Sequence, residues 1–404
     1  MSRIGQAGRL GSDVRSDCHV TCELRDGGGI ELDVQSKVDW LFAGKIRAQA
    51  RAVLEALGVR HARLAIRDAG ALPWTLASRI EAAAKAADPS LAGEYLPEAA
   101  TDGQATTSRT RLRRSRLYLP GNEPKFMINA GLYGADALIL DLEDSVAPEH
   151  KFAARYLVRN GLRCLEFGGA ERMVRINQGE LGLQDLDCII HHNVHVVLLP
   201  KAESAEQVRA VDDRIAARLG TNHNVLLMPI IESGKGAWFA YDIASAAKSV
   251  VALAIGLEDY TADIGTQRTA EGKESLWMRQ AVINAARAAG VQPIDTVFSD
   301  VADSEGLRQS VLEAKSLGFD GKGCIHPRQI PIIHEAFAPT QKEIDRAVKI
   351  VRAFDDARAR GLAAVSLGSK MIDPPVVKRA IHTVELAVAC KVLPPNWKDT
   401  EVAS

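Results

Sequence analysis

Two carboxylate-bearing segments of the sequence have residue types that suit a divalent metal ion. Each follows an apolar run of strand length: Glu232 comes after residues 225–231, and Glu258-Asp259 comes after residues 250–257. Mg²⁺ prefers oxygen ligands and is typically held by one or two carboxylates together with substrate oxygens and water. The alternative is that each carboxylate caps a following helix. We favour a metal site built from these carboxylates.

Other polar residues follow apolar runs in the same way. These strand-like runs alternate with helical segments and cover residues 116–120, 137–144, 172–177, 195–201, 225–232, 250–259, 296–300 and 322–327. Apolar runs without alternation are typical of strands buried on both faces of a parallel sheet. Eight strand–helix units predict a (β/α)₈ TIM barrel, whose active site lies where the C-terminal ends of the strands meet. A doubly wound open sheet is the alternative, but no Gly-x-Gly-x-x-Gly follows any of the runs.

The rest of the chain divides into regions around this predicted barrel. Residues 1–97 predict a small α+β domain, in which strand-like runs at 18–24 and 29–34 are joined by a glycine-rich hairpin signal. The polar residues 98–113 predict a flexible linker, which suits either a swinging module or a passive tether. Residues 114–340 form the barrel domain, and residues 341–404 form C-terminal helices and a lid. The predicted fold class is therefore α/β, with a TIM barrel and a helical lid after the small domain.

Composition and charge argue against several classes of partner. The 404 residues include 50 basic and 51 acidic side chains, so no strong net field attracts nucleic acid or an anionic membrane. No run of about twenty apolar residues and no secretory leader is visible. The six cysteines are scattered, as free thiols are in intracellular proteins. We expect a cytoplasmic protein that binds neither nucleic acid nor membrane.

Sequence motifs from Arg114 to the C-terminus resemble the β subunit of citrate lyase. They are RLYLPGNEPKFM, LILDLEDSV, VRIN, LLPKAESA, PIIES, GLEDYTADIGTQRT, LGFDGKGCIHPRQI and SLGSKMIDPP. They also resemble the wider HpcH/HpaI family of Mg²⁺-dependent CoA-ester lyases, which includes malyl-CoA and citramalyl-CoA lyases. The resemblance implies retro-Claisen cleavage of a 3-hydroxyacyl thioester into an acetyl thioester and an oxo acid, with Mg²⁺ as the cofactor.

The same resemblance implies roles for individual residues. Glu232 and Asp259 match the metal ligands, and Arg175 matches the arginine that binds substrate and takes part in catalysis. Glu143 belongs to an acidic cluster that orients Arg175 and metal-bound water. Asp373 matches an acid on a C-terminal lid that protonates the enolate, often in a neighbouring subunit. The alternative for Asp373 is a plain helix cap before Pro374 and Pro375.

A further group of residues falls where the family binds the phosphates and adenine of CoA or of a carrier arm. This group consists of Arg116, Lys125, Lys322 and Pro327. The alternative for the three cations is that they are merely solvated, as exposed basic residues near strand ends usually are.

The N-terminal region carries a second resemblance. AGRLGSDV, IELDVQSKV, GKIRAQARAVLEALGV and IRDAGALPWTLASRIEAA resemble the acyl carrier (γ) subunit of citrate lyase. In that family a serine before an acidic residue carries a phosphoribosyl-dephospho-CoA arm. Ser12 and Ser16 both precede aspartate, but neither keeps the family's spacing to the next strand, and an ungapped alignment places Arg15 at the serine position. The alternative is a carrier-like domain without an arm that serves assembly or stability.

These features together predict a Mg²⁺-dependent carbon–carbon lyase that cleaves citryl thioester to oxaloacetate and acetyl thioester as part of citrate lyase. We expect a separate α subunit that acts as acyl transferase. We also expect a homo-oligomer, a trimer or a multiple of one, with the lid donated in trans. The alternatives are a free-standing malyl-CoA or citramalyl-CoA lyase with a relic carrier domain, a non-catalytic assembly subunit, and a lipid-biosynthesis-type carrier fused to an unrelated barrel.

Overall fold

A four-stranded sheet and two helices form the N-terminal domain. The computed structural model describes residues 3–100, 106–360, 365–367 and 370–399. The elements of this domain are β1 (Arg3–Ala7), β2 (Cys18–Leu24), β3 (Ile30–Ser36), α1 (Asp39–Ala56), β4 (Ala62–Asp68) and α2 (Pro73–Ala87). The strand order is β1-β2-β4-β3, with β3 parallel to β4 and the other pairs antiparallel. The sequence predicts a hairpin between β2 and β3, which is wrong because β4 lies between them.

Eight parallel strands form a closed barrel in the second domain. They are β5 (Ser115–Pro120), β6 (Ala137–Asp141), β7 (Glu171–Arg175), β8 (Val196–Leu199), β9 (Leu226–Ile231), β10 (Ala252–Ile255), β11 (Gln292–Asp295) and β12 (Gly321–Cys324). The barrel closes because β12 pairs with β5. Apolar side chains such as Ile139, Met173 and Met228 fill its interior. The predicted TIM barrel is therefore confirmed.

Helices surround the barrel and follow it at the C-terminus. They are α3 (Pro124–Met127), α4 (Lys151–Cys164), α5 (Gly179–Ile189), α6 (Ala205–Leu219), α7 (Gly234–Trp238), α8 (Ala240–Ala244), α9 (Leu257–Asp263), α10 (Leu276–Ala289), α11 (Ser304–Leu317), α12 (Gln329–Phe337), α13 (Gln341–Ala359) and α14 (Pro374–Ala389). A short hairpin of β13 (Val365–Leu367) and β14 (Lys370–Ile372) lies between α13 and α14. These last two helices share an apolar cluster of their own. None of the described helices is long and apolar enough to span a bilayer.

One barrel strand lies earlier in the chain than its sequence predicts. The apolar residues 296–300 suggest a strand, but they form a loop, and the strand is β11 (Gln292–Asp295). Proline cannot donate a backbone hydrogen bond and argues against a central strand. Pro293 nevertheless pairs with Leu253, while the neighbouring amide of Gln292 donates to Val251 at 3.0 Å. The pairing of β11 with β10 thus overrides the preference of proline against a central strand.

The described part of the predicted linker lies against the barrel. Arg113 is fully buried and donates from Nε and Nη2 to the Glu171 carboxylate, both at 2.7 Å. Arg109 donates to the carbonyl oxygens of Lys248 and Val250. These partners lie near the N-terminal ends of the barrel strands, so residues 106–113 bind the end of the barrel opposite to the C-terminal strand ends. This differs from the flexible linker that the sequence predicts, because the side chains of Arg109 and Arg113 hydrogen-bond to the barrel.

The N-terminal domain packs tightly on the barrel through α2 and α4. Arg159 on α4 forms a bidentate ion pair with Glu81 on α2, at 3.0 and 2.6 Å, and both side chains are fully buried. Asn160 adds a hydrogen bond to the carbonyl oxygen of Trp74 at 3.0 Å. Buried charges are stable only when they are paired and hydrogen-bonded. The two domains are therefore joined by an interface that resembles a protein core.

Candidate active site at the C-terminal ends of the barrel strands

Arg175, the last residue of β7, is held by three carboxylates. It donates to Asp141 from Nε at 2.6 Å and from Nη2 at 2.7 Å, while Nη1 lies 3.0 Å from Glu143 and 3.4 Å from Asp144. Its guanidinium also stacks 5.3 Å from the ring centre of Tyr118. Burial lowers the pKa of Arg175, but the hydrogen bonds and charge of Asp141 more than reverse this. The guanidinium is therefore charged and fixed in one plane.

Glu143 is buried between two cations and an amide. Its carboxylate lies near Arg175, 3.6 Å from Lys201 Nζ, and accepts a hydrogen bond from Gln178 at 3.1 Å. Burial raises the pKa of Glu143, and nearby Asp144 raises it further, while Arg175 lowers it. Gln178 is not among the predicted site residues. Its position directly after Asn177, at the end of a strand-like run, is the only sequence signal for it.

Glu232 follows β9 and is almost completely buried. Its Oε1 accepts a hydrogen bond from the backbone amide of Lys201 at 2.7 Å. Burial raises the pKa of Glu232 to about 8, with a further increase from Asp259, although the Lys201 amide opposes both effects. Gly256 lies so close that a Cβ atom there would be 2.4 Å from Glu232 Oε2. The lack of a side chain at Gly256 is therefore what leaves space for this carboxylate.

Asp259 and Glu258 lie in the first turn of α9 and face different partners. Asp259 Oδ1 lies 3.6 Å from Lys201 Nζ, whereas Glu258 forms an ion pair of 2.8 Å with Arg268. The apolar run at 250–257 suggests a strand that continues to these residues, but the strand ends at Ile255 and the helix begins at Leu257. Their separation therefore results from the 100° step of a helix, not from the alternation of a strand.

Lys201 lies between the carboxylates of this site. Its backbone has a φ of 49°, which is unusual for a residue with a side chain. Its Nζ is 3.6 Å from both Glu143 and Asp259, and its amide binds Glu232. Burial lowers the pKa of Lys201, but Glu143 and Asp259 raise it by more. Two carboxylates therefore lie beside the Lys201 ammonium, and a third accepts a hydrogen bond from the backbone amide of the same residue.

The donor set fits a magnesium ion that is completed by substrate and water. Within residues 3–100, 106–360, 365–367 and 370–399, no group of three or more His, Cys, Asp or Glu side chains is arranged to hold a metal alone. Mg²⁺ usually takes one or two carboxylates and leaves its other positions to substrate and water. Glu232 and Asp259, both near the Lys201 cation, satisfy that requirement.

The residues predicted to bind CoA fall into two groups. Lys125 and Pro327 are partly exposed near the C-terminal ends of β5 and β12. Arg116 is buried inside the barrel, where its Nη1 lies 3.2 Å from Met228 Sδ. Lys322 is also buried and pairs with Asp295 at 2.8 Å. Arg116 and Lys322 therefore do not offer free charges to phosphates, because both lie within strands and not in the loops that follow them.

Asp373 is exposed at the start of α14. Its backbone carbonyl accepts hydrogen bonds from Val376 and Val377, but its carboxylate makes no side-chain cap. In the described part of the chain, no hydrogen bond or ion pair reaches that carboxylate. The structure of one chain therefore does not bring Asp373 together with Arg175, Glu232 and Asp259.

Ser12 and Ser16 lie in one loop of the N-terminal domain. Ser12 is exposed, whereas Ser16 is partly buried and has a φ of 56°. A cavity of about 310 Å³ lies beside this loop, and its lining includes the cations Arg9, Lys37 and Arg67. The loop lies next to the barrel because Arg9 forms an ion pair with Glu123, just after β5.

Comparisons with known proteins agree with both domains. The profile of the HpcH/HpaI aldolase/citrate lyase family matches residues 114–327, and that of the malonate decarboxylase delta subunit matches residues 3–87. Citrate lyase subunit beta of Escherichia coli K12 is 41% identical over 67% of this chain and 92% of its own length. Mouse mitochondrial citramalyl-CoA lyase is 32% identical over 81% of this chain and 98% of its own length.

A solved structure shows the same barrel. CitE of Mycobacterium tuberculosis, in complex with magnesium, acetoacetate and coenzyme A, superposes with a TM-score of 0.58 and is 31% identical. The match covers 69% of this chain and 99% of that chain.

Proposed function

The chain belongs to the HpcH/HpaI aldolase/citrate lyase family of lyases, and we propose that its barrel cleaves citryl thioester to oxaloacetate and acetyl thioester with Mg²⁺. The observation that carries this proposal is that Glu232, Asp259 and Glu143 all contact Lys201, Glu232 through the backbone amide of that lysine and the other two through its ammonium, beside Arg175. Citrate lyase subunit beta is also the relative with the higher identity of the two compared above.

Glu232 and Asp259 would hold the metal. When bound, Mg²⁺ supplies Lewis-acid polarisation of the hydroxyl and carboxylate oxygens of the oxo-acid half. The ammonium of Lys201 remains beside these carboxylates and limits their mutual repulsion. Gly256 makes room for Glu232, because a Cβ atom at that position would lie 2.4 Å from Glu232 Oε2.

Arg175 would bind the reacting thioester carbonyl or a substrate carboxylate. Its two bonds to Asp141 fix its plane, whereas its contact with the half-exposed Asp144 is the longest at 3.4 Å. A substrate oxygen would therefore replace Asp144. Planar bidentate donors recognise carboxylates and developing oxyanions well.

The proposed reaction breaks one carbon–carbon bond of the citryl thioester. The hydroxyl gives its proton to a carboxylate of the site, for which Glu143 is the candidate, the bond between the hydroxyl carbon and the thioester methylene breaks, and the electron pair of that bond forms the acetyl-thioester enolate. Arg175 stabilises the negative oxygen of that enolate. Asp373 of the lid gives the enolate carbon a proton, which releases acetyl thioester and leaves oxaloacetate as the second product.

The lid would act between subunits. Asp373 is exposed, and α13 and α14 share an apolar cluster apart from the barrel core. A symmetric homo-oligomer, such as a trimer, would let this segment cover a neighbour's site. A separate α subunit would load the citryl group onto the thioester carrier.

The carrier arm remains part of the proposal in one of two forms. A phosphoribosyl-dephospho-CoA arm on Ser12 or Ser16 would place its phosphates near the cavity whose charged lining residues are Arg9, Lys37, Arg67 and Asp68. The alternative is a domain without an arm, in which case the barrel acts on free CoA thioesters. Intact-mass measurement of the protein from its native source distinguishes the two.

A cleavage assay tests the function. The purified protein is given citryl-CoA, citramalyl-CoA or malyl-CoA with Mg²⁺, with or without a chelator. We expect oxaloacetate from citryl-CoA, and no product when the chelator is present. Preference for citramalyl-CoA or malyl-CoA would instead make the protein a free-standing lyase. If none of the three thioesters is cleaved, an assembly role is favoured.

A further inference from the structure

Arg79 on α2 connects the N-terminal domain to the loop after β5. It forms a bidentate ion pair with Asp17, from Nε at 2.9 Å and from Nη2 at 2.8 Å. The same Nη2 donates to the carbonyl oxygen of Asn122 at 2.9 Å. Both charged side chains are at most 3% exposed. One buried guanidinium thus binds the loop that contains Ser12 and Ser16 and also the barrel.

Residues 121–125, called here the β5 loop, comprise the turn after β5 and the start of α3, and they are part of the active-site rim. The amide of Gly121 donates to the carbonyl oxygen of Asp141 at 2.7 Å. A Cβ atom at Gly121 would lie 2.4 Å from that oxygen, so the two backbones touch. Asp141 in turn holds Arg175 with two hydrogen bonds. Contacts therefore run without a break from Asp17 to the substrate arginine.

A second ion pair links the N-terminal domain to the same loop at its surface. Glu123 pairs with Arg9 of the N-terminal domain and lies 3.3 Å from Lys125 Nζ. Lys125 is the only one of the three cations predicted to bind the thioester's phosphates that is partly exposed. The position of its ammonium thus depends on a carboxylate that the N-terminal domain also holds.

We propose that the N-terminal domain is a fixed wall of the thioester entrance and that Arg79 is the positioning residue that couples it to the β5 loop. The domain then does not swing between sites, and any movement of a carrier arm takes place in the arm itself. This inference rests on the proposed function in so far as Lys125 binds the thioester. It does not require that Ser12 or Ser16 is modified.

The interface provides a matched control. Arg159 and Glu81 form a buried bidentate pair of the same type. Their other hydrogen-bond and ion-pair partners are Glu94, Lys85, Asn160 and the backbone of Tyr95, none of which is in the β5 loop. Replacing one partner of a buried pair leaves an uncompensated charge, whereas replacing both is tolerated better. The test variant is therefore Asp17→Asn with Arg79→Met, and the control is Glu81→Gln with Arg159→Met.

Two measurements on the full chain test the coupling. Hydrogen exchange reports the protection of the backbone amides of Gly121 and Glu123, which donate to the carbonyl oxygens of Asp141 and Pro120. Steady-state kinetics give KM and kcat for the CoA thioester that the wild type cleaves. In the test variant we expect faster exchange of these amides and a KM roughly tenfold higher, with kcat little changed. In the control we expect a lower unfolding temperature with exchange of the β5 loop and KM close to wild type.

Different results bear on the coupling through Arg79 and on the proposed lyase function. Unchanged exchange and KM in the folded test variant, or equal changes in the control, would overturn the coupling. A wild type that cleaves no thioester would overturn the proposed function, while the exchange measurement still decides the coupling. If the test variant does not fold, Arg9→Met replaces it, because it removes the surface link to Glu123 together with only a 3.8 Å contact to Asp13, and it has the same expected direction.

Discussion

Arg175 and Asp141 form a two-pronged ion pair across neighbouring strands of the barrel, with Nε–Oδ1 and Nη2–Oδ2 distances of 2.6 and 2.7 Å. Burial raises the pKa of Asp141, but the hydrogen bonds from Arg175 reverse this and hold it below its usual value. Both groups are therefore charged over the range in which the enzyme is expected to work. The pair leaves Nη1 as the part of the guanidinium that can exchange partners.

Arg175→Lys should reduce kcat by about 10²–10³-fold, which is the typical cost of losing one preorganised donor to an oxyanion. Lysine keeps the charge but cannot bind Asp141 through two parallel hydrogen bonds. Steady-state kinetics with the best thioester substrate measure the effect. Circular dichroism is the control for folding, and a variant with wild-type kcat would contradict the role of Arg175.

Glu232→Gln should abolish Mg²⁺ binding, whereas Glu258→Gln should leave it nearly unchanged. Glu232 lies with Asp259 around Lys201, but Glu258 pairs with Arg268. Isothermal titration of the two variants with Mg²⁺ gives the affinities without any need for turnover. Loss of binding in the Glu258 variant and not in the Glu232 variant would reverse the assignment of the ligands.

The barrel could be predicted from the sequence because most of its strands are continuous apolar runs that end in polar residues. Strand β11 could not, since Gln292, Pro293 and Asp295 give no such run and only the register with β10 makes them a strand. The start of α9 at Leu257 could not be predicted either, because residues 250–257 form one apolar run that includes both the end of β10 and the first residue of the helix.

The interface between the domains was not predictable from sequence periodicity. Every residue of α2 from Trp74 to Ala84 is buried, including Arg79 and Glu81. A sequence shows which residues are charged but not which charges meet, and Arg79 and Asp17 are 62 positions apart. The pairing of Arg175 with nearby acidic residues was easier to expect, because Arg175 and these residues lie at the C-terminal ends of two predicted strands that are consecutive in the chain.

Gly256→Ala should weaken Mg²⁺ binding although the residue is not itself a ligand. Its φ of −119° suits alanine, so the backbone is not strained. The added methyl would lie 2.4 Å from Glu232 Oε2 and force that carboxylate to move. We expect at least a tenfold weaker affinity by titration, since displaced ligands commonly cost this much. Gly290→Ala is the control for glycine replacement. The added Cβ would meet no neighbouring atom, so any effect comes from the positive φ of residue 290 and not from contact with a metal ligand.

His192 should make the protein less stable as the pH falls from about 7.5 to 5.5. Burial lowers the pKa of His192 to about 4, helped by Arg159 and Arg163, while the unfolded chain keeps a value near 6.5. Below pH 6.5 His192 is protonated in the unfolded state but stays neutral in the folded state, so the free energy of unfolding falls. This loss of stability ends near pH 4, where the folded state is protonated as well. The wild type should lose about 1 kcal/mol more unfolding free energy over this range than His192→Gln. Equal losses in denaturant titrations would contradict the shift.

Asp373→Asn should lower kcat by about 10²–10⁴-fold, the usual contribution of a placed general acid. The exposed position of Asp373 on a segment with its own apolar cluster predicts that it serves a neighbouring subunit. Mixing Asp373→Asn with Glu232→Gln chains then tests the arrangement, because each chain lacks what the other supplies. If the lid acts in trans, random mixing in a symmetric ring should restore about a quarter of wild-type activity, since one site in four combines an intact Glu232 with an intact Asp373. A lid that acts in cis would give no recovery, and undiminished kcat in Asp373→Asn alone would remove the residue from the mechanism.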